Sequence, residues 1–438
     1  MITDFFTDPQ APAGPLYTLS NGRYEVRISA TGAGQSSCDG LALNRWRADP
    51  VQDDLGSLLY LRDLDDGRYW SLGHQPTRTP TPVYRTECAD GRFVLEREDV
   101  GIAARLEVSV AADANLELRR VTLNNRSGRP RRIELTSYQE VVLFYADADT
   151  AHPAFAKLFV QTERDAAAGA LLARRRPRAQ DEHWPWLVHA VSGAAAAEWE
   201  TDRMRFLGRG RTPAAPAALI APGPLSGTVG KVLDPCLSLR ATVALAADAV
   251  VEVLFLTGVA PDRASALALL DGYHRPEAAP ATGTTMPAVG TGPTGQMAGA
   301  PDKPAAALDL AGEPLRLFNG YGGFSADGRD YVLPLRRSGT DAGALPRPPL
   351  PWINVIANER AGCLVSEVGA GYTWARNSQA NRITPWSNDP VSDPRGNRGR
   401  AEIGDVPRIS RRKDSPGNRS CAAEGLLLGK RHPLVRSA

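Results

Sequence analysis

The residues whose types and spacing best suit chemistry occur twice in this chain. Trp46, Asp49 and Asp53 lie in "WRADPVQDD", and Trp386, Asp389 and Asp393 lie in "WSNDPVSDP", so the pattern W-x-x-D-P-V-x-D is written at two places about 340 residues apart. A tryptophan three residues ahead of an aspartate in a loop sets an aromatic face beside a hydrogen-bond acceptor, a pairing that suits a polar ring such as a sugar. In the first copy Arg45 and Arg47 flank the tryptophan and add two donors; in the second Asn388 stands nearby, without arginines. The candidate binding residues are therefore Arg45, Trp46, Arg47 and Asp49, and Trp386, Asn388, Asp389 and Asp393. The same residue types also serve structure, the tryptophan as a core plug and the aspartate as a tie for the loop backbone. Spacing alone leaves both readings open.

No catalytic set emerges beside them. Asp53-Asp54 and Asp65-Asp66 are adjacent pairs, and neighbouring side chains on a strand point to opposite faces. The glycine-rich "GAGQS" and "GYGGF" lack the strand–loop–helix setting and the lysine of a phosphate loop, and no G-x-S-x-G occurs. The six histidines are scattered, with His183 and His189 nearest, and no carboxylate or cysteine stands at metal spacing. Cys38, Cys88, Cys236, Cys363 and Cys421 form no C-x-x-C pair, which points to a reducing compartment without a disulfide framework. No metal and no cofactor are expected.

The elements that must position the repeated loops are strands. "RLEVSV" (Arg105–Val110), "LELRRVTL" (Leu116–Leu123) and "RRIELTSY" (Arg131–Tyr138) alternate with period two, and turns such as "NNRSGRP" (Asn124–Pro130) separate them. Strand after strand without helical interruption predicts an all-β sandwich or barrel, here with many antiparallel strands in two large sheets. One helix is expected, over Ala260–His274, opening on Pro261 and Asp262 with Ala266, Leu269, Leu270 and Tyr273 at helical spacing. The first domain is read as 15–274. Residues 275–312, rich in Pro, Gly and Ala, read as a linker that cannot bury enough surface to offset its ordering entropy. A second β region starts near 313, with two strands expected in Pro351–Trp374, and residues 395–438 form an irregular basic tail.

At 438 residues, 42% hydrophobic and 23% charged, the chain is globular, and its net charge of +2 gives no strong field for nucleic acid or an anionic membrane. "MITDFFTDPQAPAGP" has neither the basic start nor the apolar core of a signal peptide. The longest apolar run, Ala249–Ala260, is interrupted by Glu252, is too short to span a bilayer, and reads as a buried strand. The expectation is a cytoplasmic protein with no membrane span and no nucleic-acid partner.

The two copies are longer than their loop. Tyr24–Asp53 aligns with Cys363–Asp393, Gly32-Ala33-Gly34 facing Gly369-Ala370-Gly371, and the second copy carries three extra residues before its tryptophan. This predicts one strand–loop–strand element used twice, with a sharp bend or close backbone approach at Gly-Ala-Gly.

"NGYGGFSADGRDYVLPL", "PWINVIANERAGCLVSEVGAGYTWARNSQANRITPWSNDPVSDP" and "NGRYEVRISATGAGQSSCDGLALNRWRADPVQDDLGSLLYLRDLDDGRYWS" resemble the β-sandwich domains of the cellobiose phosphorylase family, once called glycosyltransferase family 36. The arrangement is similar to the C-terminal half of cyclic β-1,2-glucan synthases, which carry two such sandwiches before a catalytic domain, and the resemblance covers about 15–394. It implies a galactose-mutarotase-like supersandwich with an incomplete second copy. It also implies β-glucans or oligosaccharides as partners, and an (α/α)6 barrel that holds the general-acid aspartate and the phosphate site for phosphorolysis. That barrel is expected on another chain or missing from this one, and the full-length relatives are anchored in the inner membrane. The pattern stops after Pro394, so a truncated or frame-shifted product, or a piece of a longer one, is expected to be inactive in hexosyl transfer by itself. The alternative is a free-standing carbohydrate-binding or interaction domain.

Overall fold

In a computed structural model of the chain, the described residues are 5–11, 14–47, 53–194, 196–221, 223–273, 313–333, 347–393 and 426–429. They fall into two compact units, Met1–Ala281 and Thr282–Ala438. The first unit opens with β1 (Leu16–Ser20), β2 (Tyr24–Ser29), β3 (Gly34–Cys38), β4 (Leu41–Asn44), β5 (Leu58–Asp63) and β6 (Tyr69–Ser71). Five longer strands follow: β7 (Val83–Ala89), β8 (Arg92–Asp99), β9 (Ile102–Val110), β10 (Leu116–Asn125) and β11 (Arg131–Phe144). After a helical strap, α1 (Ala146–Ala151) and α2 (Pro153–Lys157), come β12 (Val160–Asp165), β13 (Ala170–Arg175), β14 (Trp186–Ser192) and β15 (Ala196–Asp202). The short helices α3 (Arg203–Leu207) and α4 (Ala217–Ile220) precede β16 (Pro235–Leu245), β17 (Val250–Ala260) and α5 (Arg263–Ala268).

These strands form two antiparallel sheets, so the chain is all-β with a few short helices. One runs β1-β2-β3-β4-β11-β16-β15 with β5 and β6 attached to β11; the other runs β12-β13-β14-β17-β10-β9-β8-β7. Alternation explains the sandwich. On β2, Tyr24, Val26 and Ile28 are fully buried while Glu25 and Arg27 face outward. They join Phe93, Leu106, Val108 and Phe255 of the other sheet in one continuous core.

β11 is the hub. Its 14 residues pair with β16 along one edge and share the other edge between β5, at Ile133–Tyr138, and β4, at Val141 and Phe144. A bulge between Val141 and Phe144 re-aims the strand at the point where β4 delivers the first repeated loop. Both faces of β11 are covered, since Phe206 of α3 stacks on Tyr138 at 4.5 Å on the side away from the other sheet. Such a strand reads as a nearly unbroken buried run rather than an alternating one.

The helix expected over Ala260–His274 is shorter. β17 continues to Ala260, Asp262 caps the helix by accepting a hydrogen bond from the Ser265 backbone N–H, and α5 ends at Ala268. Ala266 and Leu270 are buried against Leu256 and Ala190, whereas Tyr273 faces solvent; His274 lies outside the described residues.

The second unit carries β18 (Gly323–Phe324), β19 (Asp330–Leu333), β20 (Ile353–Ala357), β21 (Ala361–Ser366), β22 (Gly371–Ala375) and β23 (Leu426–Gly429), in two three-stranded sheets, β18-β19-β23 and β20-β21-β22. Pro351–Trp374 thus holds parts of three strands rather than two, because a turn at Glu367–Ala370, with Gly369 at φ 79°, divides the second half. The 275–312 linker reading lies outside the described residues. The tail read as irregular contributes one strand, β23, paired with β19; its remainder lies outside the described residues.

Candidate functional site

The two copies of the repeated element are built alike. β1 pairs with β2 so that Leu16 faces Ser29, and β20 pairs with β21 so that Ile353 faces Ser366. The hairpin turns match too: Asn21 Oδ1 accepts the backbone N–H groups of Arg23 and Tyr24 at 3.0 and 2.9 Å, and Asn358 Oδ1 accepts those of Arg360 and Ala361 at 2.8 and 3.0 Å. The repetition therefore begins earlier than the aligned sequence, in a turn whose only shared letters are Asn and Arg. Past the strands, Ser29 N–H donates to Ala33 O and Ser366 N–H to Ala370 O, closing the same tight loop. Gly34 and Gly371 follow where the partner backbone leaves no space for a side chain: a Cβ on Gly34 would stand 2.2 Å from Arg27 O.

The repeated aspartates fasten these loops. Asp53 is buried; its Oδ2 accepts the hydroxyls of Ser29 and Thr31, each at 2.5 Å, and its Oδ1 accepts the indole N–H of Trp46 at 2.7 Å. In the second copy Asp393 Oδ2 accepts the Ser366 hydroxyl at 3.3 Å. Asp389 accepts the backbone N–H groups of Val391 and Ser392 at 2.9 and 3.2 Å, an Asx-type turn, and Trp386 stacks on Tyr372 with centroids 4.7 Å apart. Trp46 is half-buried, Arg47 and Asn388 are exposed, and Asp49 lies outside the described residues. The first set sits in the first unit and the second set in the second.

Arg45, expected to offer donors to a ligand, instead turns inward. Its side chain is 9% exposed; Nε and Nη2 donate to Asp149 at 2.8 and 2.6 Å, and Nη1 donates to Glu140 at 2.6 Å. Glu140 also accepts from Arg203 at 2.6 Å, Arg203 reaches Asp234 at 2.9 Å, and Lys157 pairs with Asp234 at 2.7 Å. Three cations and three carboxylates thus balance inside the protein and tie β4, β11, α1, α2 and α3 together. Burial works against the charged guanidinium of Arg45, but the hydrogen bonds of Asp149 and the charge of Glu140 outweigh it and hold its pKa above the usual value. For Lys157 burial wins, helped by Arg45, and its pKa falls below the usual lysine range. The sequence holds no spacing signal for this cluster, whose members lie between positions 45 and 234.

A Ser–His contact lies deeper. His189 Nε2 and Ser137 Oγ are 2.8 Å apart, and His189 Nδ1 meets Thr257 Oγ1 at 3.0 Å. The spacing suits nucleophile activation, but all three residues are buried between the sheets, and Ser137 Oγ also bonds the Leu239 main chain. Burial pushes the His189 pKa down to about 4, so the ring is a neutral bridge between the sheets. A cleft of about 500 Å³ opens elsewhere, lined by Tyr69, Trp70, Thr79 and Pro80, and its carboxylates are engaged: Asp66 with Arg68, Asp99 with Arg97. Among the described residues no group of three or more His, Cys, Asp or Glu side chains is placed to hold a metal ion.

Comparison with known proteins agrees with this architecture. The chain is 39% identical over 263 residues to the cyclic β-(1,2)-glucan synthase NdvB of Rhizobium meliloti, a match covering 59% of this chain and 9% of that protein. It is 27% identical over 210 residues to a solabiose phosphorylase of Paenibacillus borealis, covering 46% of this chain and 26% of that one. The chain thus spans only a small part of either relative. A galactose mutarotase-like protein from Clostridium acetobutylicum overlays 59% of this chain and 99% of its own length with a TM-score of 0.32 and 7% identity. The model of "Glycosyl hydrolase 94, supersandwich domain" matches residues 1–276 and 340–398, and by that match the chain belongs to the glycosyl hydrolase 94 family through its supersandwich domain.

Proposed function

We propose that this chain is the carbohydrate-binding sandwich portion of a system acting on β-glucans. It holds the glucan while an (α/α)6 barrel, on the same or another polypeptide, carries out hexosyl transfer. The 39% identity to a protein named cyclic β-(1,2)-glucan synthase carries the reading, because the matched length corresponds to a whole sandwich rather than a short motif. The geometry is compatible with it. Asp53 fixes the Trp46 ring at a set angle with part of it open to solvent, and Arg47 stands exposed beside it. The carboxylates Glu140, Asp149 and Asp234 are held by arginine or lysine and serve the frame. In this reading Trp46, Arg47 and Asp49 are the contacts of the first copy, with Asn388 and the edge of Trp386 in the second, and the chain works in the cytoplasm.

One stacked ring plus two or three exposed hydrogen bonds, less the cost of association, gives affinity of about millimolar. Titration of β-1,2-linked glucose oligomers into the full chain, followed by tryptophan fluorescence, is expected to saturate in that range. Incubation with the same glucan and phosphate is expected to release no glucose 1-phosphate. Turnover that copurifies with the chain, or no saturable binding, would overturn the proposal.

A further inference from the structure

A second surface of the first unit concentrates aromatic side chains beyond what packing requires. Tyr145, which caps α1, is 56% exposed, and Phe155 on α2 is 54% exposed. Tyr145 lies 6.3 Å from Trp184 and 5.5 Å from Phe144, and Phe155 meets Phe159 edge-on at 5.1 Å. One buried cation underlies Phe144, Phe159 and Trp184, the rings against which Tyr145 and Phe155 pack. The Arg175 guanidinium lies 3.9 Å from the Phe144 centroid, 5.2 Å from Phe159 and 5.5 Å from Trp184, and donates to Ala156 O at 3.0 Å. Cation–π contacts on three sides fix Phe144, Phe159 and Trp184, so the base on which the exposed Tyr145 and Phe155 rest is ordered before binding.

The polar groups at the rim are equally fixed. Glu182 accepts the indole N–H of Trp184 at 3.2 Å and the backbone N–H of Arg178 at 2.8 Å, while the Arg178 side chain pairs with it at 3.4 Å. The patch therefore offers flat apolar faces edged by an acceptor, Glu182, and by donors, Arg178 paired with it and the exposed Arg176 5.6 Å from the Phe159 ring. A ring with apolar C–H faces and a border of hydroxyls satisfies both parts, stacking on the aromatic faces and exchanging hydrogen bonds with the acceptor and the donors. We propose that Tyr145, Phe155 and Trp184, with the Arg178–Glu182 pair, form a saccharide platform that takes a neutral β-linked glucose oligomer. None of these residues belongs to the repeated loops, and the proposal rests on the reading of the chain as a glucan-handling protein. The loop that carries it, between β13 and β14, and the strap α1–α2 are brought together by the Arg175 contacts rather than by proximity in sequence.

The test titrates β-1,2-linked glucose pentamer into the full chain and into Tyr145→Ala, Phe155→Ala and Trp46→Ala. Tyr145 and Phe155 are exposed, so their melting temperatures are expected to match the parent. Each of these two variants is expected to weaken binding at the platform about tenfold, and Trp184→Phe to remove the share of the fluorescence change that Trp46→Ala leaves. Unchanged affinity in Tyr145→Ala and Phe155→Ala, with loss in Trp46→Ala, would overturn the platform and leave the glucan reading standing. No binding by the parent chain up to ~50 mM would overturn both. Binding of a polyanion such as heparin in place of the neutral pentamer would also overturn the platform, since it would mark the arginines alone as the recognition element.

Discussion

The indole N–H of Trp46 donates to Asp53 Oδ1 at 2.7 Å, and the other carboxylate oxygen of Asp53 is closed by two hydroxyls, from Ser29 and Thr31. One buried carboxylate thus joins the loop after β4 to the turn between β2 and β3. Asp53→Ala strands three donors, one indole and two hydroxyls, and is expected to lower the stability of the first unit by roughly 2–4 kcal/mol. Trp46→Phe keeps an aromatic ring but loses the indole N–H and part of the ring, removing one of the three donors to Asp53, with an expected cost of about 1.5–2 kcal/mol. Urea denaturation of both variants checks the order. If Trp46→Phe proved the more costly, Trp46 would be acting mainly through packing.

Arg45 links Glu140 on β11 to Asp149 on α1. Removing one member of a buried charge cluster leaves the others uncompensated, so Arg45→Met is expected to cost roughly 3–5 kcal/mol. Arg45→Lys should recover little of it, because an ammonium cannot reproduce the two-pronged bond to Asp149. Hydrogen exchange is expected to show α1 opening before the sheets do. Equal protection of α1 in parent and variant would count against the cluster as the anchor of the strap.

Much of this architecture was legible from period-two alternation, as in β9 and β10, where inward and outward residues take turns over most of each strand. The repeat was legible because Gly34 and Gly371 face backbone that forbids a side chain, and because Asp53 and Asp393 meet the corresponding serines. The direction of Arg45 was not legible. Arg45 and Arg47 differ by two positions in a loop, and only the distant Glu140 and Asp149 decide that the first turns inward. Helix length was overestimated for a similar reason: alternation in β17 and helical spacing in α5 overlap at Ala260–Asp262, and the sheet claims Ala260. The aromatic platform left only a faint trace, the run Arg174-Arg175-Arg176 followed by Trp184 and Trp186, since its rings come from three separate segments.

Gly34 offers a test of the close approach. Its substitution by alanine drives a methyl group into Arg27 O on the paired strand, and neither backbone can move without breaking the β2–β3 ladder. Gly40 has a positive φ of 80° but open space around it, so alanine there meets only conformational strain. Gly40→Ala is expected to cost about 1 kcal/mol and Gly34→Ala at least about 3 kcal/mol. Comparable melting temperatures for the two variants would contradict the packing described for the Gly-Ala-Gly bend.

His189 supplies a dependence on pH. Its folded pKa, about 4, lies below the ordinary value of 6.5 because burial disfavours the charged ring. Between those values the unfolded chain binds a proton that the folded chain refuses, so stability falls as pH drops from 6.5 towards 4 and this contribution levels off below 4. At pH 4.5 the loss from this one group amounts to about 2.5 kcal/mol. Glu134, Glu200 and Asp202 act in the opposite sense, since burial raises their pKa values and the folded state takes up their protons more readily. A comparison with His189→Gln separates the two, because glutamine keeps polar contacts within reach of Ser137 and Thr257 and does not titrate. Denaturant unfolding at pH 7 and pH 4.5 should show the parent losing its advantage over His189→Gln by about 2.5 kcal/mol at the lower pH. Parallel losses in the two proteins would mean that His189 is protonated without penalty and would overturn burial as the control on its charge.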